Sequence, residues 1–382
     1  MLSKKENQIL TRVGPGTPAG ELLRRYWHPV AVAAELNDKP IKRVRILGED
    51  LVLYRGEGGV YGLVAEHCPH RGASLAYGSV EGCNIRCAYH GWMFGPDGKC
   101  VEQPAEPPDS TYKNRIRHVA YPAQKLAGLI FAYMGPSPAP LLPKYDVLAR
   151  ADGERRIVVL PRLDCNWLQP MENSVDPTHN HYLHSQRTGR PVHGDSNAET
   201  KKYEFEVFER GIMKKRFASN GSGQLELVNA HPLVFPNMLR QHHSREHYLQ
   251  YRVPQDDHHT LFFEVYLIES RDSAPVQQPE NPPVEYASYH KTDEGVYKME
   301  KVWMQDYMAW ETAGPTYDRS TEHLATGDKG ILIFRKLLKR EIDKVKRGRD
   351  PIGVVRKQEQ DKIIHFATVT DSKREVRDAR LR

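Results

Sequence analysis

Two short segments of the chain each offer one cysteine and one histidine as candidate metal ligands. The first runs from Cys68 to Gly72 with the sequence CPHRG, and the second runs from Cys87 to Trp92 with the sequence CAYHGW. A loop between two strands can present both side chains of such a segment, and two loops can face each other across a metal centre. The spacing predicts one centre with two thiolate and two imidazole ligands, namely Cys68, His70, Cys87 and His90.

The mixed pairing of these ligands favours an iron–sulfur cluster over zinc. Structural zinc sites usually place two cysteines in one segment and two histidines in the other, whereas here each segment combines the two types. Two thiolates on one iron and two imidazoles on the other is the ligation of a Rieske [2Fe–2S] cluster, in which the imidazoles raise the reduction potential. A zinc site is the alternative. We interpret His67, Cys83 and Cys100 as residues that do not bind the cluster, because four ligands complete it.

A second set of candidate ligands lies in the segment that ends at His184. Two histidines, His179 and His184, follow Asp176 closely, and two histidines with a carboxylate leave open positions on iron(II) for oxygen, as in non-haem oxygenases. Residues five apart on a regular helix are about 140° apart in projection. We therefore expect the helix near residues 168–185 to be broken or bulged between the two histidines. His181 is the rival ligand, although it would point to the other side of a helix.

The elements that must position these ligands are strands in the first third of the chain and a mixture of strands and helices later. Thr17 and Pro18 indicate a helix start, and alternating apolar residues with glycine-rich turns from Arg43 to Val64 predict short antiparallel strands. Four prolines in residues 135–143 predict a linker. We expect two domains, formed by residues 1–150 and residues 151–382.

A basic amphipathic helix is predicted near the carboxyl end. One apolar stripe on a helix of about 18 residues would carry the side chains that recur at three- and four-residue spacing, which are Ile331, Phe334, Leu337, Leu338, Ile342 and Val345. Residues 335–357 hold ten Lys or Arg and three Asp or Glu, an excess that exceeds the net charge of +6 of the whole chain. A solvated helix face and a docking surface for an acidic partner are the two interpretations.

Length and composition exclude several classes of protein. The 382 residues are 39% hydrophobic and 27% charged, which supplies a sizeable core and implies no general affinity for nucleic acid. The longest apolar run, residues 126–134, is nine residues long, whereas a membrane-spanning helix needs about 20. The first residues lack the apolar core of a signal peptide, and five cysteines are few for a disulfide scaffold. We expect a cytoplasmic protein without a membrane segment.

With both sets of ligands, the chain resembles the oxygenase component of the Rieske non-haem iron ring-hydroxylating oxygenases, and within them the phthalate dioxygenase-like group. The likeness covers almost the whole chain, including residues 10–18, 22–27, 305–311, 318–319 and 348–351. It implies an α+β protein. An N-terminal all-β Rieske domain of antiparallel sheets would precede a C-terminal helix-grip catalytic domain that also contains an antiparallel sheet.

The resemblance also implies the roles of the ligands. Cys68, His70, Cys87 and His90 would hold the [2Fe–2S] cluster, and His179 and His184 would bind a mononuclear iron(II). The third iron ligand of the family is a carboxylate far downstream, for which Asp306 is the best match. Glu311 and Asp318 are the alternatives, because carboxylate oxygens suit iron(II) in all three cases.

Two further residues match positions near the iron in the family. Asp176 matches an acid that links a Rieske histidine of one subunit to an iron-binding histidine of the next, which would connect His90 to His179. A helix cap before Pro177 is its alternative role. Asn173 matches a residue beside the iron, and a structural amide is the alternative.

The implied activity is that of the terminal oxygenase in a multicomponent system. NAD(P)H electrons would arrive through a separate flavin and iron–sulfur reductase, with or without a ferredoxin, because the chain has no recognisable dinucleotide or flavin motif. The substrates would be O2 and a small aromatic compound, either an aromatic carboxylate or an aryl ether. Dihydroxylation, monohydroxylation and O- or N-dealkylation remain open, and the implied assembly is a homotrimer or hexamer. A Rieske electron carrier and a zinc-stabilised binding protein are the rival classes.

An anionic substrate would need a cationic side chain at its carboxylate, and arginine binds carboxylates in a bidentate manner. The candidates are Arg216, Arg240, Arg245 and Arg252, and His231, Phe235 and Met238 are candidates for the pocket lining.

Overall fold

Short strands in three small sheets make up most of the chain before residue 134. The computed structural model describes residues 1–184, 200–219, 222–272 and 274–369. The first eleven strands are β1 Trp27–Val32, β2 Ile41–Ile46, β3 Glu49–Arg55, β4 Tyr61–Ala65, β5 Ser79–Glu81, β6 Asn84–Arg86, β7 Met93–Phe94, β8 Cys100–Glu102, β9 Ala120–Tyr121, β10 Ala123–Leu126 and β11 Leu129–Tyr133. They form antiparallel sheets of order β2-β3-β4-β9, β5-β6-β7-β8 and β1-β11-β10.

The predicted hairpins and helix start in this region are confirmed. The turn between β2 and β3 consists of Leu47 and Gly48, both at positive φ, as a tight turn between twisted antiparallel strands requires. Two helices precede the strands, α1 Lys4–Thr11 and α2 Pro18–Leu23. The hydroxyl of Thr17 accepts a hydrogen bond from the N–H of Gly20 and so caps α2.

A large antiparallel sheet dominates the rest of the chain. Its strands are β12 Gly153–Leu163, β13 Thr200–Phe208, β14 Gly211–Ser219, β15 Leu225–Val234, β16 Met238–His243, β17 Glu246–Pro254, β18 Thr260–Glu269 and β19 Val284–Tyr286. They lie in the order β13-β14-β15-β16-β17-β18-β12-β19, with parallel pairing only between β12 and β19. This is the antiparallel sheet that the resemblance implied for the second half.

Helices pack against one face of this sheet. After the short helix α3 Asp146–Ala149, the described helices are α4 Leu168–Asn173, α5 His179–Tyr182, α6 Val302–Thr312 and α7 Lys329–Lys346. Arg252 of β17 donates to the carbonyl of Pro170 in α4 at 2.8 Å, and Phe262, its cross-strand partner on β18, stacks on Trp310 of α6. Cross-strand partners share a face, so α4 and α6 cover the same face of the sheet.

The predicted basic helix is α7, and its 18 residues and buried apolar stripe confirm the prediction. Much of the positive charge in this segment is compensated within the chain. Arg335 is buried and pairs with Glu172 of α4, at 2.6 Å, and with Glu322. Lys339 pairs with Glu6 at 2.7 Å. The basic residues of α7 therefore form ion pairs with neighbouring elements as well as facing solvent.

One hydrophobic core continues across the predicted domain boundary. It includes Leu22 of α2, Phe131 of β11 and Phe334 of α7, so the division into residues 1–150 and 151–382 stays a prediction. Phe235 and Met238 belong to this core, and Phe235 packs edge-on against Phe334. Both residues thus have a packing role, and their place in a pocket lining stays a prediction.

Within the part of the chain that the structure describes, none of the helices combines the length and the apolarity needed to span a bilayer.

Candidate metal centres

Two loops of matching geometry carry the cysteine and histidine pairs. In the loop after β4, the N–H of Cys68 donates to the carbonyl of Ala73 at 2.8 Å. In the loop between β6 and β7, the N–H of Cys87 donates to the carbonyl of Trp92 at 2.9 Å. In each loop, the residue five positions after the cysteine thus accepts a hydrogen bond from it, and the histidine lies between these two residues in the sequence.

A glycine closes each loop at the same place. Gly72 and Gly91, each four residues after the cysteine, donate to the cysteine carbonyl at 2.9 and 3.0 Å. Their φ angles are +78° and +73°, in the left-handed region that glycine enters without steric cost. The glycine in each segment is therefore part of the geometry that turns the histidine towards its partner.

The four predicted ligands of the cluster come together at the tips of these loops. The rings of His70 and His90 lie with their centroids 4.6 Å apart at an interplanar angle of 69°. Cys68 and Cys87 are each 3% exposed, and their thiols lie within hydrogen-bonding reach of each other. The structure thus brings two thiols and two imidazoles to one location.

The chemistry of this donor set fits an iron–sulfur cluster. Nδ1 of His70 is buried and has no hydrogen-bond partner among the described residues. Burial raises the pKa of the Cys68 thiol to about 11, so a bound cation is needed to hold it as the thiolate that ligates metals. His67, Cys83 and Cys100 each contact a backbone carbonyl instead, in agreement with their interpretation as residues that do not bind the cluster.

Aromatic side chains enclose the two histidines. The indole of Trp92 lies parallel to the ring of His70 at a centroid distance of 4.3 Å, and the ring of Tyr89 lies 3.7 Å from that of His90. Tyr89 is 56% exposed. The histidine edge of this site therefore lies at the protein surface, whereas the cysteine edge is buried.

The segment that carries the second set of ligands contains two short helices rather than one. Helix α4 ends at Asn173, and helix α5 begins at His179 and ends at Tyr182. The helix thus ends between His179 and His184, as the five-residue spacing required, and no bulge is needed. The side chain of the rival ligand His181 lies outside the described part of the structure.

His179, His184 and Asp306 converge from two elements. Each offers one ligand atom, and the three atoms lie within 4.8 Å of one another. Nε2 of His184 lies 3.5 Å from Oδ1 of Asp306, and Nε2 of His179 lies 4.0 Å from the same oxygen. The two imidazole rings are nearly perpendicular, at 83°. Two imidazole nitrogens and one carboxylate oxygen so close together could bind one metal ion and leave its remaining positions open, as in a 2-His-1-carboxylate site.

Neighbouring acceptors orient both imidazoles. Nδ1 of His184 lies 2.8 Å from Oε1 of Gln305, so Nδ1 is the protonated nitrogen and Nε2 is left for a metal. Nδ1 of His179 lies 3.4 Å from Oδ2 of Asp176, a longer contact. The other oxygen of Asp176 accepts from the N–H and hydroxyl of Thr178 at 2.8 and 2.6 Å. Asp176 thus stabilises the turn before α5 and also contacts a histidine of the candidate iron site.

Electrostatics distinguish the two acids. Burial alone would raise the pKa of Asp176, but His179 and Thr178 lower it to about 2. Burial raises the pKa of Asp306, although both histidines, Arg252 and a hydrogen bond from Asn173 act in the opposite direction. Asn173 thus lies near the carboxylate of the candidate iron site, and its place beside the iron stays a prediction.

The alternative carboxylates lie in other environments. Glu311 accepts from Tyr297 and pairs with Lys291 and with His290, whose Nε2 lies 3.0 Å away. Asp318 caps a turn by accepting from the N–H and hydroxyl of Ser320 at 2.9 and 2.6 Å. Of the three candidate carboxylates, Asp306 is the one whose oxygen lies within 4.8 Å of donor atoms of both His179 and His184.

Arg240, Arg245 and Arg252 bond to acceptors of the protein itself. Arg240 is fully buried against Asp146, Arg245 donates to the carbonyl of Glu269, and Arg252 donates to Pro170, Ser174 and Gln250. Arg216 lies on β14, two residues from a buried lysine, Lys214. Sequence reasoning missed Lys214 because it searched for arginine. Its position two residues after the buried Ile212 on the same strand was the signal that could have found it.

Two cysteines and two histidines at one location, and two histidines with a carboxylate at another, are the donor sets expected of an iron-dependent redox enzyme. The family of Rieske [2Fe-2S] domains matches residues 26–121, and the family of LigXa C-terminal domain-like sequences matches residues 292–381.

Curated relatives match almost the whole chain. The chain is 39% identical to the 5,5'-dehydrodivanillate O-demethylase oxygenase subunit of Sphingobium sp. (strain SYK-6), over 97% of this chain and 87% of the relative. It is 36% identical to the phenoxybenzoate dioxygenase subunit alpha of Ectopseudomonas oleovorans, over 90% and 87% of the two chains. The structure of the Pseudomonas putida CBB5 NdmA QL mutant with caffeine matches with a TM-score of 0.64 at 21% identity, over 87% of this chain and 94% of that one.

The chain belongs to the Rieske non-haem iron oxygenases and is an oxygenase (alpha) subunit of that family. It is an oxidoreductase with an all-β Rieske domain followed by a domain built on an antiparallel sheet, as the resemblance implied. The family carries a [2Fe–2S] cluster and a mononuclear iron.

Proposed function

We propose that Cys68, His70, Cys87 and His90 hold the Rieske cluster and that His179, His184 and Asp306 hold the mononuclear iron of a terminal oxygenase. One observation carries the assignment of the iron site. His184 and Gln305 are 121 residues apart in sequence, yet the fold places Asp306 beside His184 and His179. Three side chains that suit iron(II) come together from distant segments, and a metal site explains this arrangement most simply.

The protein's own residues prepare this site for the chemistry. When bound, the cluster supplies single electrons and the mononuclear iron supplies oxygen activation. Gln305 and Asp176 fix the orientation of the two histidine rings and the nitrogen that carries the proton. The amide of Asn173 acts to lower the pKa of Asp306 and so favours its carboxylate form. Burial of Asp306 among these groups excludes water from one side of the site.

The proposed substrate is a small aromatic carboxylate, which can also carry an aryl ether group. The names of both relatives reported above, a dehydrodivanillate demethylase and a phenoxybenzoate dioxygenase, specify aromatic carboxylates. One is an O-demethylase and the other a dioxygenase, so hydroxylation and O-dealkylation are both within the proposal. O2 is the second substrate.

The proposed partners are a flavin and iron–sulfur reductase that takes electrons from NAD(P)H, with or without a ferredoxin, and further copies of this chain in a trimer or hexamer. Asp176 would join His90 of one subunit to His179 of the next. Both ends of this link lie near the surface, because Asp176 is 21% exposed and Tyr89 beside His90 is 56% exposed. The described cysteines are all free, which supports a cytoplasmic location.

The test is the metal content of anaerobically purified protein. About three iron and two acid-labile sulfide per chain are expected, since a [2Fe–2S] cluster takes two irons and the second site one. Asp306→Ala should lose about one iron and keep the sulfide. Asp318→Ala, which removes the alternative carboxylate, is the matched control and should keep all three.

The rival classes predict other results. Two iron and two sulfide that persist after iron is added back would favour an electron carrier. Zinc without sulfide would contradict both metal assignments.

A further inference from the structure

A buried lysine lies on the helix-covered face of the large sheet. Lys214 of β14 is 8% exposed and is the direct cross-strand partner of Phe205 on β13 and of His231 on β15. The ring of Phe205 lies against Gly330 of α7, where an added Cβ would approach it to 2.6 Å. Cross-strand partners share a face, so Lys214 and His231 both point towards the helices.

A packing contact places Lys214 on the side of the candidate iron site. Gly330 of α7, which lies against Phe205, also lies against the carbonyl of Val175, the residue before Asp176, where an added Cβ would clash with the oxygen. Lys214, the cross-strand partner of Phe205, therefore lies on the same side of the sheet as the segment that carries Asp176 and His179. In agreement with this position, the carboxylate of Asp176 acts to raise the pKa of Lys214.

Neither polar group of this pair has its full complement of partners. Lys214 forms no hydrogen bond or ion pair with any residue in the described ranges. Nε2 of His231 is buried and likewise lacks a hydrogen-bond partner there, although its Nδ1 lies 2.9 Å from Oδ1 of Asn229. An ammonium on a side chain that is only 8% exposed is stabilised when a counter-ion lies beside it.

The surroundings of the pair are positive. Burial lowers the pKa of Lys214 to about 8, an effect that Asp176 partly offsets and Arg216 reinforces. Burial and the positive charges of Lys214, His243, Arg216 and His242 lower the pKa of His231. The carboxylate of Asp176, which opposes this effect on Lys214, is itself in contact with Thr178 and His179.

We propose that Lys214 and His231 form the site that binds the carboxylate of the aromatic substrate. This inference rests on the proposed function and names the residues that would set its substrate class. Lys214 supplies a point charge, and Nε2 of His231 donates to the anion in the imidazolium form, in which Nδ1–H also donates to Oδ1 of Asn229. The bound anion is the counter-ion, and the aromatic ring then extends from the sheet towards the iron ligands.

The test compares acids with their neutral isosteres in equilibrium binding to anaerobic full-length holoprotein. The probes are benzoate, 3-methoxybenzoate and biphenyl-3-carboxylate, each paired with the corresponding amide, and affinities are measured by calorimetry. At least one acid should bind more tightly than its amide. Lys214→Met should weaken binding of that acid by about 10- to 100-fold, the range for a lost charge-assisted hydrogen bond, and leave the amide nearly unchanged.

The next residue along the strand provides a matched control. Lys215 points to the opposite face of β14 and pairs with Glu206 at 2.6 Å, so Lys215→Met should leave both affinities unchanged. Lys214→Arg keeps the charge and should keep the preference for the acid. His231→Gln should weaken acid binding less than Lys214→Met does.

Three results would overturn the inference. In the first, no acid binds more tightly than its amide to the wild type. In the second, Lys214→Met weakens acid and amide equally, as loss of a structural counter-ion to Asp176 would do. In the third, chloride or phosphate displaces the acid as effectively as a second aromatic acid, which would indicate a general anion site. Failure of the proposed function is separate, because it would appear in the iron and sulfide content and not in the ratio of acid to amide affinity.

Discussion

Nδ1 of His184 lies 2.8 Å from Oε1 of Gln305, the residue immediately before Asp306 on helix α6. The amide of Gln305 is itself fixed, because its Nε2 donates to the carbonyl of Met299 at 2.8 Å. One turn of α6 thus supplies both a candidate iron ligand and the acceptor that sets the proton position of another.

Removal of this acceptor should weaken iron binding. Gln305→Leu leaves Nδ1 of His184 without an acceptor, and loss of such outer partners typically costs about 10- to 100-fold in metal affinity. Iron per chain after dialysis against a chelator measures the effect, with the cluster absorbance as an internal reference. Gln305→Glu retains an acceptor oxygen and should retain more iron. A leucine variant that holds iron as firmly as the wild type would remove Gln305 from the site.

A substitution at Asp176 can test its role in electron transfer separately from its role in the turn before α5. Asp176→Asn can keep the oxygen that accepts from Thr178 and replaces the oxygen that faces His179. Metal content should stay intact, whereas single-turnover transfer from cluster to iron should slow by about 10- to 100-fold. Thr178→Ala leaves the carboxylate in place and is the control. A normal transfer rate in the asparagine variant would contradict the bridging role.

The two loop glycines should differ in their tolerance of a side chain. Gly72→Ala and Gly91→Ala both force a left-handed φ on alanine, at a cost of about 1 kcal/mol. An added Cβ meets nothing within 4 Å at Gly72, but it lies 3.0 Å from the ring of Pro104 at Gly91. Cluster absorbance should therefore decay faster on heating in Gly91→Ala than in Gly72→Ala. Equal decay would show that backbone strain alone governs the loops.

Glu311 should contribute to stability at moderate pH and lose this contribution in acid. Burial acts to raise its pKa, but His290, Lys291 and the N–H of Asp164 lower it to about 2. A carboxyl whose pKa is lower in the folded state stabilises above its unfolded pKa, and the contribution disappears as the pH falls through the folded value.

Thermal unfolding tests this linkage. The wild type should melt well above Glu311→Gln at about pH 6, and the difference should narrow between about pH 4.5 and pH 2. Glu154, an exposed residue, provides the control, because Glu154→Gln should follow the wild type throughout. A constant difference between wild type and Glu311→Gln would contradict the proposed charge pairing.

Helix starts, helix ends and apolar helix faces could be predicted from the sequence, because they depend on residues that are close together in the chain. Thr17 caps α2 as predicted, and the apolar stripe of α7 has the predicted length and is buried. The His179–His184 spacing required an interruption of the helix, and the end of α5 at Tyr182 provides it.

The residue types and short spacings of the ligands were determined by the sequence alone, since each loop holds its own cysteine and histidine. Which distant side chains join them was decided by the tertiary structure. Asp306, Glu311 and Asp318 are alike as donors, and only the packing of α6 over the sheet turns Asp306 towards the histidines while Glu311 pairs with Lys291. Strand register likewise brought Lys214 opposite His231. Contacts between distant segments depend on which face of each element is buried, and that is settled by the fold as a whole.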